Sequence, residues 1–383
     1  MLQGLKSENQ MQAHNLQKIQ YLGAAISSFE LQHIDYEALP LRVRNLNAYA
    51  YWNHDPMFSY TNEHGKWAAR FHGRMFQMLE RRPGSTIVHG KPLIEITGPR
   101  LNMIPKDERM QAFDIAAEVF SRSQKKHLVP SIELDLPERQ MATLSQKTTI
   151  HGEFEGFAAL DSIPGPSGNP PYCIRRIRTR FINSVGSQGE LFLVPPQGTT
   201  IIADVDAVLR DAFEKSQLKT SAFKPFIPWM NMPDLFHQFK TRCDIHYHYI
   251  TASPVALTDM YMRLLRRYYP PGSFDTGKVQ KSHQNELNIN LATQTFPNRR
   301  FILFLDSTKR YRISRSFDDQ LLCIFVRDIA QRDFKGRVKP INLKKNFRPI
   351  PMRKVKLFKT PDELMGLDLE KMDCGNPAEE QED

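Results

Sequence analysis

Residues Thr199–Arg210 read TTIIADVDAVLR. A β-branched, apolar run, Thr200–Ile202, ends in two aspartates one residue apart, Asp204 and Asp206. Ionised carboxylates at the end of a hydrophobic strand cost free energy unless a cation, hydrogen bonds or solvent offset it. The carboxyl edge of an open α/β sheet supplies such offsets and is where ligands bind. A turn after the strand brings both acids to one small site, one to attack and one to exchange protons. The spacing is not that of a calcium loop, because Val208 stands where a fifth-position acid belongs. Asp-x-Asp alone is a weak motif and equally describes a surface turn with two acids.

Downstream, apolar strands are expected at Thr199–Ala203, Ile245–Ile250, Phe301–Leu305 and Leu321–Val326, with helical segments between them. That alternation predicts a mostly parallel sheet with helices on both faces. After the second strand, ITASP places Ser253 as a helix cap and Pro254 in the first turn; the helix ends in YMRLLRRYY, stopped by Pro270, Pro271 and Gly272. The third strand, FILFL, delivers Asp306 and Ser307. Three strand ends thus carry Asp204/Asp206, Thr251 and Asp306, which a parallel sheet can bring together across about a hundred residues of chain.

Upstream, LRVRNLNAYAYW, GKWAARFHGRMF, SIELDL, TTIHGEFEGFAAL and CIRRIRTRFI alternate apolar and polar side chains, as strands with one solvated face do. Pro105–Ser123 has helical spacing, Ile163–Tyr172 is a Pro/Gly loop, and VPPQG (Val194–Gly198) marks a break. The division expected is a polar N-terminus over 1–34, a β-rich domain over 35–195, an α/β domain over 196–335 and a tail over 336–383. The β-rich part carries no catalytic constellation, so binding or packing is its expected role. His246 and His248 share one strand face but lack a third ligand in sequence, which favours a structural role.

The 383 residues carry a net charge of +10, which favours an anionic partner. Arg332–Lys359 holds 11 basic residues and one acid, with aromatics interleaved, and suits an anionic membrane surface or a solvated tail. Thr360–Asp383 then holds nine acids and reads as a disordered tail. No base-reading module supports nucleic acid, and no stretch approaches a membrane span. Four scattered cysteines, 173, 243, 323 and 374, indicate neither a zinc knuckle nor a disulfide framework, and a reducing, cytosolic compartment is expected.

The order Asp-x-Asp, Ser/Thr, Lys, Asp resembles the haloacid dehalogenase superfamily of phosphatases. More closely, GTTIIADVDAVLRDAF, FKPFIPWMNMPDLFHQF, HYHYITASPVAL, RRYYPPGSF, FPNRRFILFLDS and IFVRDI, in that order, resemble the catalytic domain of the fungal phosphatidate phosphatases associated with cortical actin patches. The resemblance implies a haloacid dehalogenase-like, Rossmann-type α/β catalytic domain behind the β-rich one. It implies Asp204 as nucleophile, Asp206 as acid/base, Thr251 on the phosphoryl oxygens, and Lys281, or Lys278, neutralising charge. Asp306 would hold Mg²⁺ with Asp204 and the Asp206 carbonyl. It further implies phosphatidate as substrate, actin-patch or endocytic partners, and a cytoplasmic protein peripheral to membranes at cortical actin patches.

The fourth motif departs from that pattern: LDSTKRY has Leu305 and Thr308 for two glycines and Tyr311 for a second acid, which leaves Asp318 and Asp319 as candidates to compensate. Two readings therefore stand, a Mg²⁺-dependent phosphatidate phosphatase and a catalytically impaired homologue that binds lipid or an actin-linked partner.

Overall fold

The computed structural model describes residues 41–44, 47–53, 66–77, 87–88, 91–92, 122–123, 129–136, 140–149, 153–160, 163, 173–182, 188–211, 226–240, 242–254, 258–277, 284–307, 311, 313, 315–329, 331–332, 338–339, 341–347 and 350–369. The chain forms two compact units. One comprises Met1–Leu41, Gln77–Arg122 and Glu214–Pro225; its described part includes the ribbon β4 (Ile87–Val88) and β5 (Lys91–Pro92). The other comprises Arg42–Phe76, Ser123–Phe213 and Phe226–Asp383 and carries the candidate site.

The upstream strands are β1 (Leu41–Arg44), β2 (Asn47–Asn53), β3 (Lys66–Gln77), β6 (Arg122–Ser123), β7 (Ser131–Leu134), β8 (Gln140–Thr143), β9 (Glu153–Leu160), β10 (Arg175–Phe181) and β11 (Gln188–Val194). They form a nine-stranded mixed sheet along β1-β3-β2-β11-β10-β7-β8, with β6 and β9 also on β3. Alternation is realised in β10, whose Ile177, Thr179 and Phe181 are buried between exposed arginines. In β3 it is not: Trp67 to Gly73 is buried on both faces, Arg70 and His72 included. Both polar positions meet the buried Asp275 rather than water, and Arg70 also meets the half-buried Glu155.

The downstream strands are β12 (Thr199–Asp204), β13 (Ile245–Pro254), β14 (Ser273–Gly277), β15 (Arg300–Asp306), β16 (Leu321–Arg327) and β19 (Val355–Phe358). Between the last two lies the ribbon β17 (Gln331–Arg332) and β18 (Val338–Lys339). The sheet order is β14-β13-β12-β15-β16-β19, every neighbour parallel, which in chain order is the doubly wound 3-2-1-4-5-6. The helices are α1 (Met232–Phe239), α2 (Thr258–Tyr268), α3 (Gln284–Thr295) and the short α4 (Leu343–Asn346). Strand alternation sorts the core into two layers. Ile201, Ala203, Tyr247, Ile302, Phe304 and Phe325 pack with α1 and α2, while Ile202, Ile250, Leu303 and Leu305 pack with Ile289, Ala292 and Phe296 near α3 and with Phe192 and Val194 of β11. Phe304 meets the rings of Phe236, Phe325 and Phe358, so truncating it to Ala would remove about 3–5 kcal/mol.

The α/β expectation holds for these four strands, and two more join them. The strand β19 lies inside the stretch read as a basic tail. Ser253 and Pro254 do not open a helix: β13 runs through both, and Pro254 pairs with Gly277 beyond a bulge. The helix expected over Pro105–Ser123 lies outside the described residues except Arg122–Ser123, which is a strand. The polar N-terminus and most of the Ile163–Tyr172 loop also lie outside them.

The cysteine expectation is corrected. Cys173 and Cys243 form a disulfide across 70 residues of sequence. Scatter along the chain says little about pairing, because the amide of Ile174 bonds the Cys243 carbonyl at 2.8 Å and brings the two segments together. The ground for expecting a reducing compartment is thereby removed.

The VPPQG break is a tight junction between the sheets. Gly198 has φ +113°, and a Cβ there would meet the Asp244 carbonyl at 2.7 Å. The buried Arg299 donates to the carbonyls of Pro195 (2.8 Å), Thr199 (2.6 Å), Asp244 (2.6 Å) and Gln197, and to Thr200 Oγ1 (2.8 Å). Burial lowers its pKa to about 9, so it remains charged at neutral pH.

Candidate active site

The central strand β12 pairs with β13 on one side and β15 on the other, so its last residue, Asp204, lies opposite Ile250, one residue before Thr251. Asp306 ends the neighbouring β15. First and fourth strands adjoin here, and their connections leave in opposite directions, which opens a crevice at the carboxyl edge. Both acids are fully buried. Asp204 Oδ1 accepts from the amides of Asp206 (3.0 Å) and Ala207 (3.3 Å), capping one π-helical turn, Val205–Leu209. Those amides offset part of the desolvation of a buried anion. The same turn is held from behind by Arg327, which donates to the carbonyls of Ala207 (2.9 Å) and Arg210 (3.4 Å) and stacks 3.5 Å from the Trp229 ring centre. Burial lowers the Arg327 pKa to about 10, still charged at neutral pH.

Asp206 is partly exposed. Its Oδ2 accepts from Thr251 Oγ1, its Oδ1 from the Tyr261 hydroxyl of α2, and Arg210 Nη2 lies 3.3 Å from Oδ1. The Arg210 guanidinium sits 4.3 Å over the Phe226 ring. Thus the Thr251 hydroxyl, expected on a phosphoryl oxygen, is engaged with Asp206. Tyr261 and Arg210 were not foreseen: Tyr261 reads in sequence as one apolar position of a helix, and Arg210 as the polar end of the strand-turn stretch.

Tyr311 stands between the two buried carboxylates. Its hydroxyl lies 3.1 Å from Asp306 Oδ2 and 3.4 Å from Asp204 Oδ2. Burial, then the charges of Asp306 and Asp204, push the phenol well above its ordinary pKa, so it keeps its proton. Asp319 is exposed, unlike the buried pair, and Asp318 and Asp319 belong to the 3₁₀ turn Arg315–Gln320. Lys278 and Lys281 lie outside the described residues.

Among the described residues no group of three His, Cys, Asp or Glu side chains is arranged to hold a metal ion. Two converging carboxylates are nevertheless a fitting all-oxygen start for Mg²⁺, which is commonly held by one or two carboxylates, with waters and a substrate phosphate completing its shell. The histidine pair does not contribute there. Ser273 Oγ bonds His246 Nε2 (2.9 Å) and His248 Nδ1 (2.7 Å), and His248 Nε2 lies 3.4 Å from Asp275. Asp275 in turn takes two hydrogen bonds from Arg70 Nη1 (2.7 and 3.0 Å) and lies 2.9 Å from His72 Nε2, while Arg70 also binds Glu155. This buried network joins β3 and β9 to the edge strand β14.

Fold and site together define an α/β protein with an acidic, hydroxyl-lined crevice at the switch point of a doubly wound sheet. The family model "Phosphatidate phosphatase APP1, catalytic domain" matches residues 199–328, about a third of the chain, from the first residue of β12 to just past β16. No curated protein matches the sequence. A solved 2,6-sialyltransferase from Vibrionaceae Photobacterium sp. JT-ISH-224, in complex with CMP and lactose, aligns at 11% identity and a TM-score of 0.20. That alignment covers 54% of this chain and 38% of the transferase. Among the described residues no helix is long and apolar enough to cross a membrane.

Proposed function

We propose that this chain is a phosphatidate phosphatase that releases diacylglycerol and phosphate through a phospho-aspartate on Asp204. The match of the phosphatidate phosphatase catalytic domain to 199–328 supports the substrate class. The observation that carries the reading is the meeting of Asp204, Asp206, Thr251 and Asp306 at one sheet edge. In this reading the domain is haloacid dehalogenase-like.

A carboxylate oxygen of Asp204 attacks phosphorus, and the bond from phosphorus to the glycerol oxygen breaks. Asp206 gives its proton to the leaving alkoxide. Asp206, now ionised, takes a proton from water; the water oxygen attacks phosphorus, the acyl-phosphate P–O bond breaks, and Asp204 is regenerated. Thr251 and Tyr261, one on each oxygen of Asp206, fix the carboxyl for both transfers. Lys281, or Lys278, would meet the phosphoryl charge. Asp204 and Asp306, with the Asp206 carbonyl, would hold Mg²⁺, which supplies electrostatic stabilisation of the transferring phosphoryl group. The basic residues of 332–359 favour an anionic lipid surface. The sequence resemblance supports a cytoplasmic, membrane-peripheral location and actin-patch partners.

A second reading, a lipid-binding homologue without turnover, is favoured by Tyr311 in place of an acid beside Asp306. Phosphate release from phosphatidate in mixed micelles with Mg²⁺ separates the two. The phosphatase reading expects release by the wild-type chain that is lost in Asp204→Asn and with a chelator. Wild-type release no higher than that of Asp204→Asn, with lipid binding retained, selects the second reading.

A further inference from the structure

The Tyr311 hydroxyl is aimed at the interval between Asp204 and Asp306, 3.4 Å from one carboxylate oxygen and 3.1 Å from the other. Its surroundings hold it there. The ring is 1% exposed and stacks on Phe347 with centres 5.6 Å apart and planes 10° from parallel. Its backbone amide donates to the Asn346 carbonyl at 2.8 Å, and Asn346 Nδ2 donates to the carbonyl of Ser307, the residue after Asp306, at 2.9 Å. The segment carrying the phenol is therefore fastened to the strand that carries the acid it serves. A hydroxyl with one proton between two carboxylates satisfies both in part, as a small neutral stand-in for a shared cation. A divalent cation bound by both would need their oxygens at about 2.0–2.1 Å.

We propose that Tyr311 is a built-in competitor for the divalent cation: its hydrogen bonds to Asp204 and Asp306 must be given up before a cation can bridge them. This rests on the proposed Asp204/Asp306 cation site but not on turnover, since it concerns binding alone. Mg²⁺ affinity of this chain is then set by a tyrosine anchored to Phe347 and Asn346. Replacing the hydroxyl, with the ring kept, removes this one competing donor from both carboxylates.

The test is calorimetric titration of the full chain with MgCl₂ in the absence of lipid, for wild type, Tyr311→Phe, and Tyr311→Phe with Asp306→Asn. Because a hydrogen bond to a charged group is at stake, Tyr311→Phe should bind Mg²⁺ about tenfold or more tightly than wild type. The added Asp306→Asn should abolish that gain, and Mg²⁺ should raise the melting temperature of Tyr311→Phe more than that of wild type. Equal affinity, or no binding by either chain, overturns the proposal. Weaker binding by Tyr311→Phe also overturns it, by making the phenol oxygen a ligand. Should Tyr311→Phe not fold, Phe347→Leu, which loosens the ring without touching the site, should also tighten Mg²⁺ binding, and an unchanged affinity would overturn the proposal. Whether phosphatidate is hydrolysed is decided separately by Asp204→Asn.

Discussion

Asp206 depends on side chains from two elements, Thr251 in β13 and Tyr261 in α2. If it exchanges protons with the leaving group, loosening it should slow turnover without weakening lipid binding. Tyr261→Phe and Thr251→Val are each expected to lower kcat about tenfold, a fraction of the usual 10²–10⁴ for acid–base catalysis, with KM nearly unchanged. A rise in KM at constant kcat would instead assign them to substrate binding. The positions of Asp204 and Asp306 at strand ends were legible in sequence because each closes an apolar run, TTIIA and FILFL, that reads as a strand. Tyr261 was not, since a hydroxyl inside a helical repeat looks like any other core aromatic. Tyr311 was legible as a missing acid, but nothing in LDSTKRY tells that its hydroxyl reaches back to both carboxylates.

Among the elements, the edges of the parallel sheet were hardest to foresee. SFDTG, the strand β14, is five residues long with little apolar content, and β19 lies among lysines. Edge strands pair on one side only and tolerate such sequences, so the pattern that marks buried central strands is weak there. The Cys173–Cys243 bridge closes a loop that contains β10, β11 and β12. On the chain-entropy account a loop of that length contributes about 4 kcal/mol. Cys173→Ser with Cys243→Ser should move the urea midpoint down by that equivalent. A double variant that unfolds at the wild-type midpoint would remove the bridge from the account of stability. Arg299 is the other fastening, and Arg299→Met should lower stability by about 3 kcal/mol or more, since several buried carbonyls lose their donor together. Urea unfolding would show this as a lower midpoint with an unchanged slope.

At the scale of the molecule, the two sheets share a buried ionic contact. Burial alone would raise the Asp275 carboxyl, but the charges of Arg70 and His72, with hydrogen bonds from His248 and His72, hold it well below the ordinary range. His246 is held well below its ordinary pKa by burial first, then by the charges of His248 and Arg299. Both groups bind protons more readily when unfolded. Stability should therefore decline as pH falls from about 6.5, through His246, and further below about 4, through Asp275. Urea midpoints measured from pH 8 to 3 would follow this, and a flat profile would contradict it. Arg70→Met should cost about 3–5 kcal/mol by stranding a buried carboxylate, and adding Asp275→Leu should recover much of the loss.

The 3-2-1-4-5-6 strand order also has a consequence in time. Asp204 precedes Asp306 by 102 residues although the two stand on adjacent strands. At about 5–20 residues per second, a ribosome exposes the first acid some 5–20 s before the second. Throughout that interval the nascent chain carries Asp204 without its neighbour, and the carboxylate pair is completed only when the fourth strand joins the first.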